Sequence, residues 1–394
     1  MIGHSNIKSQ FLLNPQITFL NFGSFGACPK PIFKDYQDWQ LLLESEPVQF
    51  IAFNGVGYLK TSREALAKYV NCNPDDLVYV SNPTYAVNII AKSLKLEEGD
   101  EILSTNLEYG ALDRTWNYYC RKSKATYVRQ PIDLPVTTKE AIIEQFWKGY
   151  SSKTKAIFIS QITSTTALRL PVEEICEMAK AKGLLTIVDG AHVPGHIPLD
   201  LTQIKADIYT GACHKWMMTP KGCTFLYVKP EFQPMFDPLV VSWGYESAAP
   251  SNSQFLDYHQ MQGTRDFSAF LTVPKAIEFI NEHNWVDVAT DCRQMVQANY
   301  QRFCDLVGSK PLCPINDDFL GQMCSIPINT TQPEALKKHL FDVYKIEIPV
   351  MPNGKHMFLR FSINGFNSQA DLDKLYTALQ EIIAGTDLLK YGVE

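Results

Sequence analysis

Several features are missing from this chain, and each absence removes a class of function. No apolar run approaches the ~18 or more residues a helix needs to cross a bilayer. Met1 to Gln10 is polar and lacks the apolar core of a signal peptide. No basic run occurs and the formal net charge is -6, whereas nucleic acids and anionic membranes need clustered Lys and Arg. A small-molecule ligand is therefore expected, in a protein that stays in the cytoplasm. None of the ten cysteines forms a Cys-x-x-Cys pair, so neither a zinc knuckle nor a dithiol redox site is visible, and no metal is expected. The cysteines are expected to be reduced and mostly packed in the core as small hydrophobes. There is no internal repeat and no low-complexity tract.

What is present is an ordinary globular composition, 45% hydrophobic over 394 residues, enough for two packed domains. From about Asp75 to Val228 apolar, β-rich runs alternate with helical stretches: Leu77 to Val80, Ala86 to Leu94, Glu101 to Leu103, Ala111 to Lys122, Ala125 to Val128, Lys139 to Trp147, Ala156 to Ile159 and Val172 to Lys182. That rhythm predicts a mostly parallel sheet covered by helices. The Gly55-Val56-Gly57 segment reads as a turn in the helical region before it. Phe267 to Val307 has helical period with an early Pro274. Beyond it, strands at Cys324 to Ile328, Glu347 to Met351 and Met357 to Ser362, with helices at Pro333 to Tyr344 and Gln369 to Ala384, predict a smaller α+β unit.

Two residues in the parallel layer carry chemistry. Asp189 ends the β-branched run Leu184 to Val188, where a buried strand delivers a side chain to the crevice at the sheet's carboxyl edge. Lys215 follows one helix and one strand later, in Thr210-Gly211-Ala212-Cys213-His214-Lys215-Trp216. A lysine that forms a Schiff base and a carboxylate that keeps a pyridine nitrogen protonated are what pyridoxal phosphate requires. A lone Lys is usually a solvated charge and an Asp after a strand usually a cap. The order of the pair, flanked by His192 and His214 and by Gly190, Gly195, Gly211 and Gly222, favours the cofactor. Pyridoxal phosphate also brings a dianion, which suits a helix start with hydroxyls. Ser81-Asn82-Pro83-Thr84-Tyr85-Ala86 offers one, with amides near Thr84 and Tyr85, although a plain capped helix reads the same way.

Val188 to Gly195, Ile197-Pro198-Leu199-Asp200-Leu201, His214-Lys215-Trp216 and Pro220-Lys221-Gly222 together closely resemble the isopenicillin N epimerase-like branch of class V aminotransferases. The likeness begins near Leu20 to Ala27, where that branch usually has His in place of Phe22, and runs to Leu359-Arg360-Phe361-Ser362 and Phe366-Asn367. It implies an α/β protein of the pyridoxal-phosphate transferase fold type I, with a large, mostly parallel sheet of the seven-stranded type and a smaller C-terminal α+β domain. The expected division is an N-terminal segment 1–30 packing with the small domain, a large domain 31–265, and a connection plus small domain 266–394. His214 is expected as a phosphate ligand, joined by Thr264 of Gly263-Thr264-Arg265-Asp266 from a partner subunit, in a homodimer with shared sites. Tyr109 matches the position of a stacking aromatic or His. Thr163, Ser164 and His192 are candidates to reach the phenolic oxygen. Arg360 matches the carboxylate clamp, a role a bidentate guanidinium suits, and Asn21 is a second candidate for that carboxylate. Phe22, Phe25, Trp243, Tyr245 and Gln262 of the partner subunit would line the side-chain pocket.

The resemblance implies Cα-proton abstraction from an amino acid, with Lys215 as base. Epimerisation also needs a second acid, for which Tyr85, Tyr109 or Cys213 are candidates. Carbon–sulfur β-elimination needs only a leaving group, and transamination needs only Lys215. Cysteine desulfurases of this fold carry a nucleophilic Cys shortly before the arginine strand. No cysteine lies between Ser325 and Arg360, so persulfide transfer is not expected. The order of expectation is epimerase, lyase, aminotransferase, with a non-catalytic relative last because Lys215 and Asp189 are both intact.

Overall fold

The computed structural model describes residues 7–393, so residues 1–6 of the expected N-terminal segment lie outside the described residues. A two-residue strand, β1 (Thr18–Phe19), precedes the main layer. That layer is built from β2 (Leu77–Val80), β3 (Glu101–Thr105), β4 (Thr126–Gln130), β5 (Thr154–Ser160), β6 (Leu185–Asp189), β7 (Ile208–Ala212) and β8 (Thr224–Val228). Their order in the sheet is β2-β8-β7-β6-β5-β3-β4. All run parallel except β8, which is antiparallel to both β2 and β7.

The continuous apolar runs follow from burial on both faces of this sheet. Successive strand residues point to opposite sides. In β5, Ala156 and Phe158 pack with the helices Pro83–Ser93 and Gly110–Lys122, whereas Ile157 and Ile159 join the opposite core with the helices Lys139–Trp147 and Val172–Ala181. Ile187 and Val188 of β6 divide in the same way, as do Ile208 and Tyr209 of β7. A one-residue slip of register would exchange the two sets.

The smaller C-terminal domain is built on β9 (Met323–Ile328), β11 (Val350–Asn353) and β12 (His356–Ser362), antiparallel in the order β11-β12-β9, with Arg360 opposite Ser325; β10 (Ile346–Glu347) pairs elsewhere. The helices Pro333–Asp342 and Gln369–Gly385 flank this sheet, and the long helix Trp285–Val307 leads into it. Ser368 and Asp371 close a reciprocal capping box at the start of Gln369–Gly385.

Two sequence expectations need correction. Gly55-Val56-Gly57 is no turn: the helix Gly55–Val70 begins there, after a π-helical stretch Gln49–Asn54. Tertiary contact overrides the glycine signal, because the Phe50 carbonyl and the Phe267 ring press on Gly55 where a Cβ would stand, at 2.9 and 3.0 Å. The single strand read over Glu347 to Met351 is two. Pro349 cannot donate, and the chain changes partner across it, from β1 alongside β10 to β12 alongside β11.

The N-terminal segment is strapped across both sheets. β1 pairs parallel with β10, Leu20 O accepts from Ser362 N at 2.9 Å, and Phe19 O accepts from Asn367 Nδ2 at 3.0 Å. Beyond the short helix Phe22–Phe25, Gly26 turns back at φ +63, and a Cβ there would lie 2.5 Å from His214 O and 2.6 Å from Lys215 O. Gly26→Ala therefore meets both a left-handed φ and a backbone clash, together about 2–5 kcal/mol. Gly99→Ala, at φ +89 with nothing within 4 Å of its Cβ, meets only the φ penalty. The thermal unfolding midpoint should fall clearly further for the first variant than for the second.

Candidate active site

Five strands of the large sheet release their chains on one side, the carboxyl edge, where ligands of open α/β sheets bind. β2 leads into Ser81 to Tyr85, β3 into Glu108 and Tyr109, β5 into Thr163 and Ser164, β6 ends on Asp189 just before His192, and β7 leads into His214 and Lys215. The antiparallel return of β8 places Lys215 in the connection 213–223 between β7 and β8. Arg360 reaches the same place from β12.

Asp189 is buried, and its Oδ1 accepts from Ala191 N at 2.9 Å. Burial raises its carboxyl above the ordinary value, against the pull of that amide and of Lys215. Lys215 keeps part of its surface open. Burial brings its amine down to about 8; Asp189 opposes that fall and Arg360 adds to it. Its Nζ lies 3.2 Å from His192 Nε2. His192 is buried, and desolvation, then Lys215, Arg360, His196 and His214, hold its imidazole well below the usual range. An amine that deprotonates near 8 is suited to act as nucleophile and base close to neutrality.

Arg360 is the most unusual side chain of the site. It is 1% exposed, yet no carboxylate faces it among the described residues. Nη1 donates to Ser164 O at 2.5 Å, Nη2 donates to Ser24 Oγ at 2.9 Å, and Nε has no partner among the described residues. Burial lowers its pKa to about 10. Ser24 in turn donates to Asn21 Oδ1. A buried guanidinium left short of acceptors is a seat for an anion.

The other residues singled out in the sequence fall in several places. Tyr109 is 47% exposed at the start of the helix Gly110–Lys122. Asn82 caps the helix Pro83–Ser93 by accepting from Tyr85 N at 2.8 Å, so that amide is already occupied. The Tyr85 hydroxyl is buried without a partner. His214 Nδ1 donates to Cys223 O at 2.8 Å, and burial brings the ring down to about 4. Thr264 is exposed, one residue before Arg265.

Three expectations change with the side-chain contacts. The Thr163 hydroxyl is committed to its own turn, accepting from Leu168 N at 2.9 Å and sharing a bond with Thr166 at 2.7 Å. Cys213 is fully buried and its thiol is pushed well above the ordinary value by burial and by Cys223, which removes it as an acid facing a substrate. Phe22 is fully buried against Trp216 and Phe366 at 5.1 and 5.8 Å, so it is core, while Phe25 and Trp243 are 69% and 87% exposed.

Three residues here escape a sequence reading. Ser24 bridges Arg360 and Asn21. Trp216 donates to His192 Nδ1 at 3.3 Å. Glu108 is buried, accepts from Thr105 Oγ1 at 2.7 Å and from Ser160 N at 3.0 Å, and is pushed up to about 7, chiefly by burial. Its place directly before Tyr109, at a strand end, is the one signal the sequence held for it.

The leftover groups form a coherent set: an amine, a buried carboxylate, an open aromatic ring and a helix start, beside a cation that no carboxylate faces among the described residues. They fit pyridoxal phosphate together with an amino acid. The Aminotransferase class-V profile matches residues 54–375. The isopenicillin N epimerase of Amycolatopsis lactamdurans is 31% identical over 392 residues, covering 96% of this chain and 98% of that one. A putative L-cysteine desulfhydrase of Oryza sativa subsp. japonica is 27% identical, covering 98% and 87%. Among solved structures, a C-DES mutant with glycine covalently linked to its PLP cofactor superposes with a TM-score of 0.80 at 19% identity, covering 95% of this chain and 99% of that one. Fold, site chemistry and likeness agree, and the chain belongs to the class V aminotransferase family, as a pyridoxal-phosphate-dependent enzyme of fold type I.

Proposed function

We propose that the protein acts on an amino acid by removing its Cα proton, and that the reaction is epimerisation. The observation that carries this reading is the pairing of a buried, under-bonded guanidinium, Arg360, with an amine brought down to about 8, Lys215. The substrate carboxylate would meet the Arg360 guanidinium, whose Nη2 side Ser24 and Asn21 bracket. Lys215 would take the Cα proton in its neutral form. Asp189 would hold its negative charge against the pyridine nitrogen, Tyr109 would cover the ring, and the helix start at Ser81 to Tyr85 would hold the phosphate with His214. Bound there, pyridoxal phosphate supplies an electron sink for the pair left at Cα. His192 and Ser164 stand as candidates near the phenolic oxygen.

Returning a proton to the opposite face needs a second acid, and with Cys213 removed the candidates are Tyr109 and Tyr85. The full-length likeness to isopenicillin N epimerase supports this order of readings. The alternative is a carbon–sulfur β-lyase, which the likeness to an L-cysteine desulfhydrase supports and which needs no second acid. Transamination ranks third. We further propose the division 1–30, 31–265 and 266–394, a cytoplasmic setting, and a homodimer in which Thr264 serves the neighbouring subunit's site. The exposed Trp243, Val241 and Phe53 suit such an interface. No helix of the described residues is long and apolar enough to cross a membrane.

Incubation with a panel of amino acids in deuterated water, followed by proton NMR, tests the reaction. Deuterium at Cα with both enantiomers appearing supports epimerisation, whereas pyruvate with a released thiol assigns the lyase. The wild-type protein should be yellow and Lys215→Ala should lose that visible band; a colourless wild type that cannot be reconstituted would sink the reading. Because only neutral Lys215 accepts the proton, single-turnover exchange should climb about tenfold per pH unit below about 8 and level off above it. His214 presents a different sign. Its Nδ1–H is committed to Cys223 and the neutral ring can only accept at Nε2, so it must gain a proton to donate to phosphate. Cofactor binding near neutral pH should take up close to one proton, weaken as pH rises, and lose that uptake in His214→Asn, as read by calorimetry in buffers of different ionisation enthalpy.

A further inference from the structure

Behind Lys215 lies a set of rings whose protons can be placed without ambiguity. An indole nitrogen can only donate, and Trp216 Nε1 donates to His192 Nδ1 at 3.3 Å. That nitrogen must therefore carry a lone pair. The groups facing His192 are Lys215, Arg360, His196 and His214, and all of them disfavour its protonation, as does its burial. A neutral His192 with a lone pair on Nδ1 carries its proton on Nε2, 3.2 Å from Lys215 Nζ. An ammonium has no acceptor, so this contact is satisfied only by the neutral amine.

Trp216 is itself held on two sides. His196 stacks on the indole at 3.9 Å between centroids and 22° between planes, and Phe22 packs against it at 5.1 Å. His196 is fixed by the same reasoning. The Gln322 backbone N–H, which can only donate, points to His196 Nε2, so the His196 proton lies on Nδ1 and is given to His192 O at 2.8 Å. Gln322 stands directly before β9, the strand whose Ser325 lies opposite Arg360. The small domain thus fixes His196 by a hydrogen bond, and His196 in turn holds Trp216 by stacking.

We propose that Trp216 is a positioning residue that fixes the tautomer of His192, so that His192 donates and does not accept at the Lys215 amine. The consequence is directional. A His192 free to carry its proton on Nδ1 would offer Nε2 as an acceptor and would stabilise the lysine ammonium. Pinned by Trp216, it favours the uncharged amine that can attack a carbonyl or take a proton. The inference rests on Lys215 being the reacting amine, but the tautomer is measurable whether or not the protein turns over. A colourless, inactive protein would overturn the proposed function and leave this result standing.

The test is nitrogen NMR of the full-length protein, freed of cofactor so that Lys215 is an open amine, and labelled with 15N-histidine, with His192 assigned by the signal lost in His192→Gln. The wild type should show Nε2 protonated over Nδ1 by about tenfold or more, the worth of one good hydrogen bond. Trp216→Phe keeps a ring against His196 and removes the N–H, and its His192 should become a mixture with less than about tenfold preference. A wild-type signal protonated on Nδ1 would overturn the proposal. So would a Trp216→Phe protein whose His192 remains as strongly Nε2-protonated as the wild type. If that variant fails to fold, Trp216→Leu, which also lacks the indole N–H, takes its place with the same two outcomes.

Discussion

A guanidinium buried to 1% exposure with no carboxylate facing it among the described residues is the constraint on which the site depends. Leaving a charge in such a place costs several kcal/mol unless polar groups surround it. Here each part of the molecule supplies something: β12 the arginine itself, the loop after β5 the Ser164 carbonyl, and the N-terminal segment the Ser24 hydroxyl. The strap formed by β1 and the turn at Gly26 is what brings Ser24 there, and the same turn rests on the backbone of Lys215. The cation and the amine are therefore positioned by one piece of chain. The Nε is left without a partner among the described residues, so the cation's charge is only partly answered there.

Around that cation the sheet arranges opposing electrostatic effects. Asp189 favours a charged Lys215, while Arg360 and burial favour a neutral one, and the second pair prevails. His192, held neutral, adds a directional contact to that outcome. Glu108 sits one layer further back, with three donors opposing its desolvation. Such a balance needs groups from β3, β5, β6, β7 and β12 within a few ångströms, which a parallel sheet with its crossovers supplies at one edge.

Much of the secondary structure is legible in the residues. β-branched, doubly buried runs give β5, β6 and β7, and amphipathic period gives Lys139–Trp147 and Val172–Ala181, because local burial and local period coincide there. Misreadings occur where distant contacts decide. Gly55 looks like a turn until Phe267 packs on it, and Glu347 to Met351 looks like one strand until β1 takes one half and β12 the other. An aromatic such as Phe22 serves equally as pocket lining or as core, and Trp216 and Phe366 draw it inward. Thr163 has the right residue type at a strand end, but its neighbours Thr166 and Leu168 occupy its hydroxyl.

The residues alone set the alternation of strands and helices, the presence of Asp189 and Lys215 at successive strand ends, and the lack of a basic run or of an apolar run long enough for a membrane helix. These are properties of composition, spacing and local period, which need no knowledge of what lies across the molecule. Folding alone leaves Arg360 without a counterion among the described residues, brings Ser24 to it across 336 positions, and sets the Trp216 N–H against His192. Hydrogen-bond direction and desolvation depend on which atoms meet, and residues far apart in the chain meet only once the chain has folded.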